Sequence, residues 1–329
     1  MCDVSCSPDD DAACCAPSNA GAADTAPVEL VAPAWAGSGS HALLIKLPGG
    51  AFLMGSNDGS AYPADGEGPV REITLRPFAI APTTVTNTEF AAFVDATRYV
   101  TDAERIGWAF VFAGLLPGEF PDTRGVARSP WWRQVYEADW QHPEGRHANI
   151  ATRLDHPVVQ VSWNDAMAYC AWAGVRLPTE AEWEFAARGG LEQKLYPWGD
   201  DLTPDGEHRC NVWQGTFPSK NTADDGYYGT APATAFPPNG CGLHNMTGNV
   251  WEWCSDWFDR SFHASGPRTD PLGPPSGETK VIRGGSYLCH ESYCYRYRVS
   301  ARSANTPDGA TGNTGFRVAA DLESDRGRE

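Results

Sequence analysis

Turn-forming residues recur so closely along this chain that no regular element can run far before meeting one. Thirty-four glycines and 26 prolines punctuate its 329 residues. From residue 196 onward they gather with aspartate and asparagine in Trp198-Gly-Asp-Asp201, Asp224-Asp-Gly226 and Pro237-Pro-Asn-Gly240. Each such run favours a turn for local reasons, through positive backbone angles at glycine and a missing donor at proline. The 13 tryptophans, meanwhile, are spread along the whole chain. Large apolar side chains that recur between turns imply short elements and long, packed loops, and they exclude an architecture of long helices.

Three capping boxes mark where helices start, each pairing a Ser or Thr with an acid three residues on. They begin at Thr86 with Glu89, Ser162 with Asp165 and Thr179 with Glu182. Apolar spacing then follows each helix: Phe90, Phe93 and Val94; Ala166, Tyr169, Cys170 and Ala173; Trp183, Ala186 and Ala187. Gly174 and Gly189 are the expected stops, and Cys170 falls on an apolar face, which makes it a core residue. Residues 114–155 lack a consistent period and carry Trp131, Trp132, Trp140, His142 and His147, as expected of a long ordered insertion bordering a groove. Short strands are expected at Lys280–Arg283 and Arg296–Ala301. No internal repeat interrupts this pattern, and no linker divides it. The expectation is one domain over residues 41–320, with tails at 1–40 and 321–329.

The formal charge of −17 and the lack of a dense Lys/Arg cluster argue against nucleic acid, which needs an electropositive footprint. No apolar run has the length to span a bilayer. The first Lys or Arg is Lys46, so no basic lead-in to a secretory signal is seen. Cys2, Cys6, Cys14 and Cys15 stand among Asp, Ala, Ser and Pro, a composition that builds no core and is expected to be disordered through about residue 38. Their spacing matches no zinc pattern. Ten cysteines without an export signal point to a reducing, cytoplasmic compartment.

Chemistry concentrates in Arg283-Gly-Gly-Ser-Tyr-Leu-Cys289-His-Glu-Ser-Tyr-Cys294-Tyr-Arg-Tyr-Arg298. Thiols five apart point in different directions on a helix and to opposite faces of a strand, so a turn or bulge must intervene for them to act together. Acting together, they can close to a disulfide or hold a soft ion such as Cu(I). Arg296, Arg298 and Arg302 alternate in phase with Cys294, and nearby positive charge favours the thiolate, which is both nucleophile and metal ligand. Those arginines can equally hold buried carboxylates or carbonyls. Of the remaining cysteines, Cys210, Cys241 and Cys254 form no Cys-x-x-Cys pattern and receive no role.

This stretch resembles the C-terminal active-site segment of the formylglycine-generating enzymes, which oxidise a cysteine of sulfatases to formylglycine. The likeness continues through Ala301-Arg-Ser-Ala-Asn-Thr-Pro-Asp308 and Gly315-Phe-Arg317. It extends upstream through Pro48-Gly-Gly-Ala-Phe-Leu-Met-Gly55, Asn87-Thr-Glu-Phe90, Asp155-His-Pro157, Val161-Ser-Trp-Asn-Asp165, Arg176-Leu-Pro-Thr-Glu-Ala-Glu-Trp-Glu184 and Gly248-Asn-Val-Trp-Glu-Trp253. Many of these blocks are shared with a wider superfamily of lectin-like sulfatase-modifying domains, so they specify fold; the cysteine pair discriminates activity. The implied fold is a mixed α/β, loop-rich domain of the C-type-lectin-like, formylglycine-generating-enzyme type.

What the resemblance implies about function is an oxygen-dependent oxidase acting on a sulfatase polypeptide bearing Cys-x-Pro-x-Arg, with an external reductant. Cys289 and Cys294 would hold Cu(I); Ser286, His290 and Trp251 match active-site positions. A metal-free route through a cysteine sulfenic acid is also compatible with the sequence, and both routes require the thiols. Family Ca²⁺ sites map onto Asn211, the Val212 carbonyl, Asp225 and the Tyr227 carbonyl, and onto Asn245, the Gly248 and Val250 carbonyls and Glu252. Two departures matter. Ala187 and the pair Val299 and Val318 stand where secretory-pathway members carry cysteines, so structural disulfides are not expected; and Trp108 stands where eukaryotic members carry an acid, leaving Asp102 and Glu104 as nearby candidates for reading the substrate arginine. The main alternative is a non-catalytic lectin-like module binding protein or glycan, indifferent to Cys289 and Cys294. A different copper-dithiol oxidase acting on a small thiol is a third reading, and a histidine-ligated iron oxidase lacks the His run it needs.

Overall fold

The computed structural model describes residues 15–18, 36–41 and 43–322. Short elements and long packed loops dominate it, as the spacing of turn residues requires. The three expected capping boxes are all formed. Thr86 caps α1 (Asn87–Thr97), a fourth box not read from the sequence, Thr101 with Glu104, opens α2 (Asp102–Ile106), Ser162 caps α3 (Trp163–Ala173) and Thr179 caps α4 (Glu180–Arg188). Gly174 and Gly189 end α3 and α4 in the left-handed conformation, where glycine pays no Cβ penalty. Cys170 is buried in the core.

A four-stranded sheet organises the C-terminal half in the order Arg302–Asn305, Lys280–Arg283, Trp251–Trp257, Thr314–Gly315. Its last pairing is parallel and the others antiparallel. A second sheet sets Phe78–Ile80 between Ile45–Leu47 and Ala319–Asp321, so strands from both ends of the domain close one ladder. α4 joins the two halves: Trp183 Nε1 donates to Glu252 Oε2 at 2.7 Å, and both residues are buried. No helix among the described residues is long and apolar enough to cross a membrane.

Two expectations change. Residues 296–301 form no strand; the strand is Arg302–Asn305. Their alternation comes from ion pairing: Arg296 reaches Asp65 at 2.5 Å and Arg298 reaches Glu67 at 2.6 Å, which draws the segment onto the loop at 62–67 and away from a ladder. The 114–155 insertion also holds more regular structure than its mixed period suggests, since Ser129–Tyr136 pairs with Trp108–Phe112 and Gly125–Val126.

Buried arginine–carboxylate pairs tie the segments together. Arg283 bridges Glu180 and Glu184, Arg302 holds Glu180, and Arg317 holds Glu252. Burial alone would raise the Glu184 carboxyl, but Arg188, Arg283 and the Gly55 N–H outweigh it and hold it down at about 2. A depressed folded-state value contributes stability that is complete above the unfolded value of about 4.3 and is lost as pH falls through it toward the folded value. The urea midpoint of the wild type is therefore expected to fall more steeply between about pH 5 and pH 2 than that of Glu184→Gln. Parallel curves would remove Glu184 as the source.

Candidate active site

The thiols meet because the chain turns twice between them. Gly285 (φ 73°) lets the segment lie against Tyr297, where a Cβ would come 2.9 Å from the Tyr297 Cα. The Cys289 N–H then donates to the Ser286 carbonyl at 2.9 Å, and the Tyr293 and Cys294 N–H groups donate to the His290 carbonyl at 2.9 and 2.7 Å. This is the intervening turn the five-residue spacing demands. It brings Cys289 Sγ and Cys294 Sγ to 3.2 Å, with both residues buried and both sulfurs outside any disulfide. Cys170, Cys210, Cys241 and Cys254 are likewise unbridged.

Ser286 holds the Cys289 sulfur through its N–H at 3.3 Å and faces it with its hydroxyl at 3.9 Å. Asn313 Nδ2 fixes that hydroxyl at 3.0 Å. Trp251 is fully buried in the apolar cluster that includes both thiols, and its Nε1 has no hydrogen-bond partner. In the same cluster Tyr293 stacks on Phe217 at 4.2 Å and meets Trp131 edge-on at 5.0 Å. His290 is half-buried and its Nδ1 is engaged with Ser292 Oγ at 2.8 Å. The structure thus brings Ser286 to the thiols and sets Trp251 in their apolar surround, while the hydrogen bonding of His290 Nδ1 is to Ser292.

Burial pushes the Cys289 thiol up, and the hydrogen bond and charge of Cys294 add to this. Burial acts the same way on Cys294, but hydrogen bonds from Cys15 and Cys289 and the Arg296 charge outweigh it and hold Cys294 well below the ordinary thiol range. The two sulfurs therefore differ, with negative charge favoured on Cys294 over Cys289. Such a thiol–thiolate pair is a soft donor set, suited to Cu(I) or to nucleophilic attack.

A third sulfur, missed from the sequence, completes the row. Cys15 Sγ lies 3.0 Å from Cys294 Sγ and 3.5 Å from Arg296 Nη1. Residues 15–17 are buried, which corrects the expected disorder for this part of the tail; Cys2, Cys6 and Cys14 lie outside the described residues. Asn313 was also missed. The Cys-Ala-Pro triplet at 15–17 was visible in the sequence, but composition averaged over the tail concealed it. Asp102 and Glu104, the candidates for reading an arginine, are spent on structure: Asp102 Oδ2 accepts from Ser162 Oγ at 2.5 Å and Asn164 Nδ2 at 3.0 Å, and Glu104 closes the α2 capping box.

The two candidate cation sites differ. Gln214 Nε2 donates to both the Val212 carbonyl and Asp225 Oδ2, occupying with an amide the space between two oxygens that a cation would share. Burial pushes the Asp225 carboxyl above its usual range. Asn211 is buried and spends its Nδ2 on the Gly229 carbonyl and Asn249, so its oxygen is the group left to offer a cation; Tyr227 donates its N–H to Asp225 Oδ1 at 2.9 Å. At the second set, Asn245 Oδ1 is buried with no hydrogen-bond partner, and Gly248 and Val250 stand on the turn leading to Glu252. Both Glu252 oxygens are taken by Arg317, at 2.6 and 2.7 Å. The first set fits a hard cation, and the second fits in part.

A buried dithiol on a lectin-like, loop-rich scaffold defines a thiol-centred member of the sulfatase-modifying class. Residues 33–322 match the sulfatase-modifying factor enzyme 1-like domain, and the chain belongs to that family. A Thermomonospora curvata protein named formylglycine-generating enzyme is 59% identical over 282 residues, covering 84% of this chain and 93% of its own. A Bos taurus relative named inactive C-alpha-formylglycine-generating enzyme 2 is 45% identical, covering 86% and 90%. Among solved structures, PvdO from Pseudomonas aeruginosa matches with a TM-score of 0.64 at 27% identity, covering 85% of this chain and 94% of that one.

Proposed function

We propose that this protein converts the cysteine of a Cys-x-Pro-x-Arg segment in a sulfatase polypeptide to formylglycine, with molecular oxygen as acceptor and an external reductant in a reducing, cytoplasmic compartment. The observation that carries the reading is the pair of buried cysteine sulfurs 3.2 Å apart, in a chain that shares 59% identity with a relative named for this activity. Cys289 and Cys294 would hold Cu(I), which supplies the one-electron chemistry oxygen requires. The chain's own groups set the conditions. Arg296 favours charge on Cys294, Ser286 and Asn313 orient Cys289, and Trp251 with the stacked Tyr293 and Phe217 keeps bulk water from the sulfurs. A Cys-x-Pro-x-Arg peptide incubated in air with copper-loaded protein and reductant should acquire an aldehyde, and its serine counterpart should not, because a hydroxyl is a poor ligand for a soft ion. Equal outcomes for both peptides would remove the reading.

Calcium is proposed as a structural ion held by Asn211, Val212, Asp225 and Tyr227. It would pin loops that have little backbone pairing of their own, and a ligand bound only by the folded state adds stability by mass action. Chelation in the wild type is expected to lower the melting temperature by several degrees, and Asp225→Ala should reproduce the loss and abolish the response to chelator. A wild-type melting temperature insensitive to verified calcium removal would count against the site.

A further inference from the structure

The segment at Cys15–Ser18 is held by the residues that organise the dithiol. Asn313 Nδ2 donates both to the Cys15 carbonyl at 3.0 Å and to Ser286 Oγ at 3.0 Å, and Ser286 in turn holds Cys289. Asn305 Nδ2 donates to the Pro17 carbonyl at 3.3 Å, and Ser18 Oγ bonds Thr306 Oγ1 at 2.6 Å. The groove therefore grips main-chain carbonyls at the cysteine and the proline, and leaves the residue between them constrained by size alone: Ala16 is 1% exposed. The cysteine side chain points at Cys294. The next described stretch is also anchored, with the Gly37 and Gly39 N–H groups donating to the Ala171 and Trp172 carbonyls.

Residues 15–19 read Cys-Ala-Pro-Ser-Asn. This is the proposed substrate motif Cys-x-Pro-x-Arg with asparagine in place of arginine. We infer that Cys15-Ala16-Pro17-Ser18 is a tethered substrate mimic, bound at the dithiol through the contacts a sulfatase cysteine segment would use, so that substrate must displace it. The inference rests on the proposed function for the identity of the competing ligand. Residues 19–35 separate the two anchored stretches, and a short tether gives an effective concentration of the order of millimolar. A mimic so tethered raises the apparent KM for a free peptide without altering the rate at saturation. The missing arginine weakens the mimic, which keeps it displaceable.

Two measurements test this. In metal-free Cys289→Ser protein, mild oxidation with diamide should join Cys15 to Cys294, identified by peptide mapping, with the yield falling as a Cys-x-Pro-x-Arg peptide is added and takes its place on Cys294. A linkage through Cys2, Cys6 or Cys14 in its stead, or none to Cys294, overturns the inference. In copper-loaded protein, Ala16→Trp, a side chain too large for a position that is 1% exposed, should eject the segment and lower the peptide KM severalfold by releasing an intramolecular competitor, with kcat unchanged. An unchanged KM, or aldehyde found at Cys15 itself, overturns the competitor role. The trapping needs neither copper nor turnover. Successful Cys15–Cys294 trapping in a protein that never oxidises the peptide would leave the docked segment standing and remove the oxidase reading alone.

Discussion

Cys294→Ser is expected to lose stoichiometric Cu(I) binding and all turnover while the protein stays folded. Serine fits the space, and the turn that carries the residue is held by main-chain bonds to His290 and Ser286 that the substitution leaves alone. A hydroxyl is a hard donor that stays protonated, so the soft, charged member of the pair disappears. Cys289 cannot compensate, because burial favours the neutral thiol there. Cys289→Ser should fail for the complementary reason, since a lone thiolate offers one ligand where two are needed. A chelator-competition titration reads the metal, and circular dichroism reads the fold. Full activity in either folded variant would contradict the dithiol account.

The second large effect is structural. Arg298→Met should destabilise the protein by about 3–5 kcal/mol, the usual cost of leaving a buried charge without its partner. Arg298 and Glu67 are both fully shielded from solvent and form a two-pronged pair at 2.6 and 2.7 Å. Arg298 also donates to the Tyr295 carbonyl and Ser300 Oγ, so its loss loosens the segment immediately after the dithiol. The double variant Arg298→Met with Glu67→Leu should recover much of the stability, because the cost lies chiefly in the uncompensated carboxylate. Urea unfolding measures both; a single variant within 1 kcal/mol of wild type, as an exposed pair would give, would contradict the burial argument.

What could be read from the sequence follows the range of the physics involved. Capping boxes and left-handed glycine stops obey rules a few residues long, and Thr86, Ser162, Thr179, Gly174 and Gly189 all hold their expected places. The Thr101 box obeys the same rule, and it commits Glu104 to the cap. Long-range pairing is different. The alternation of Arg296 and Arg298 has the period of a strand, yet its partners Asp65 and Glu67 lie over 200 residues away in sequence, and no local pattern reveals them. Cys15 shows the same limit. Composition describes a tail that can build no core of its own, but four of its residues need none, since they borrow the groove formed by Asn305, Thr306 and Asn313. The cysteine pair could be read because its spacing demanded a turn within the same short segment.

The central proposal is that molecular oxygen oxidises a peptide cysteine at a site where Cys289 and Cys294 would hold Cu(I). Its most direct measurement is mass spectrometry of a Cys-x-Pro-x-Arg peptide after incubation with reductant and protein of confirmed copper occupancy, run in parallel with and without oxygen and with hydrazide capture of any product. The account predicts an aldehyde at the cysteine in air, an unmodified peptide without oxygen, and no product in either case with Cys294→Ser. Peptide that binds the copper-loaded wild type in air and is recovered with its cysteine intact would contradict it, and would favour a binding module built on the same loops.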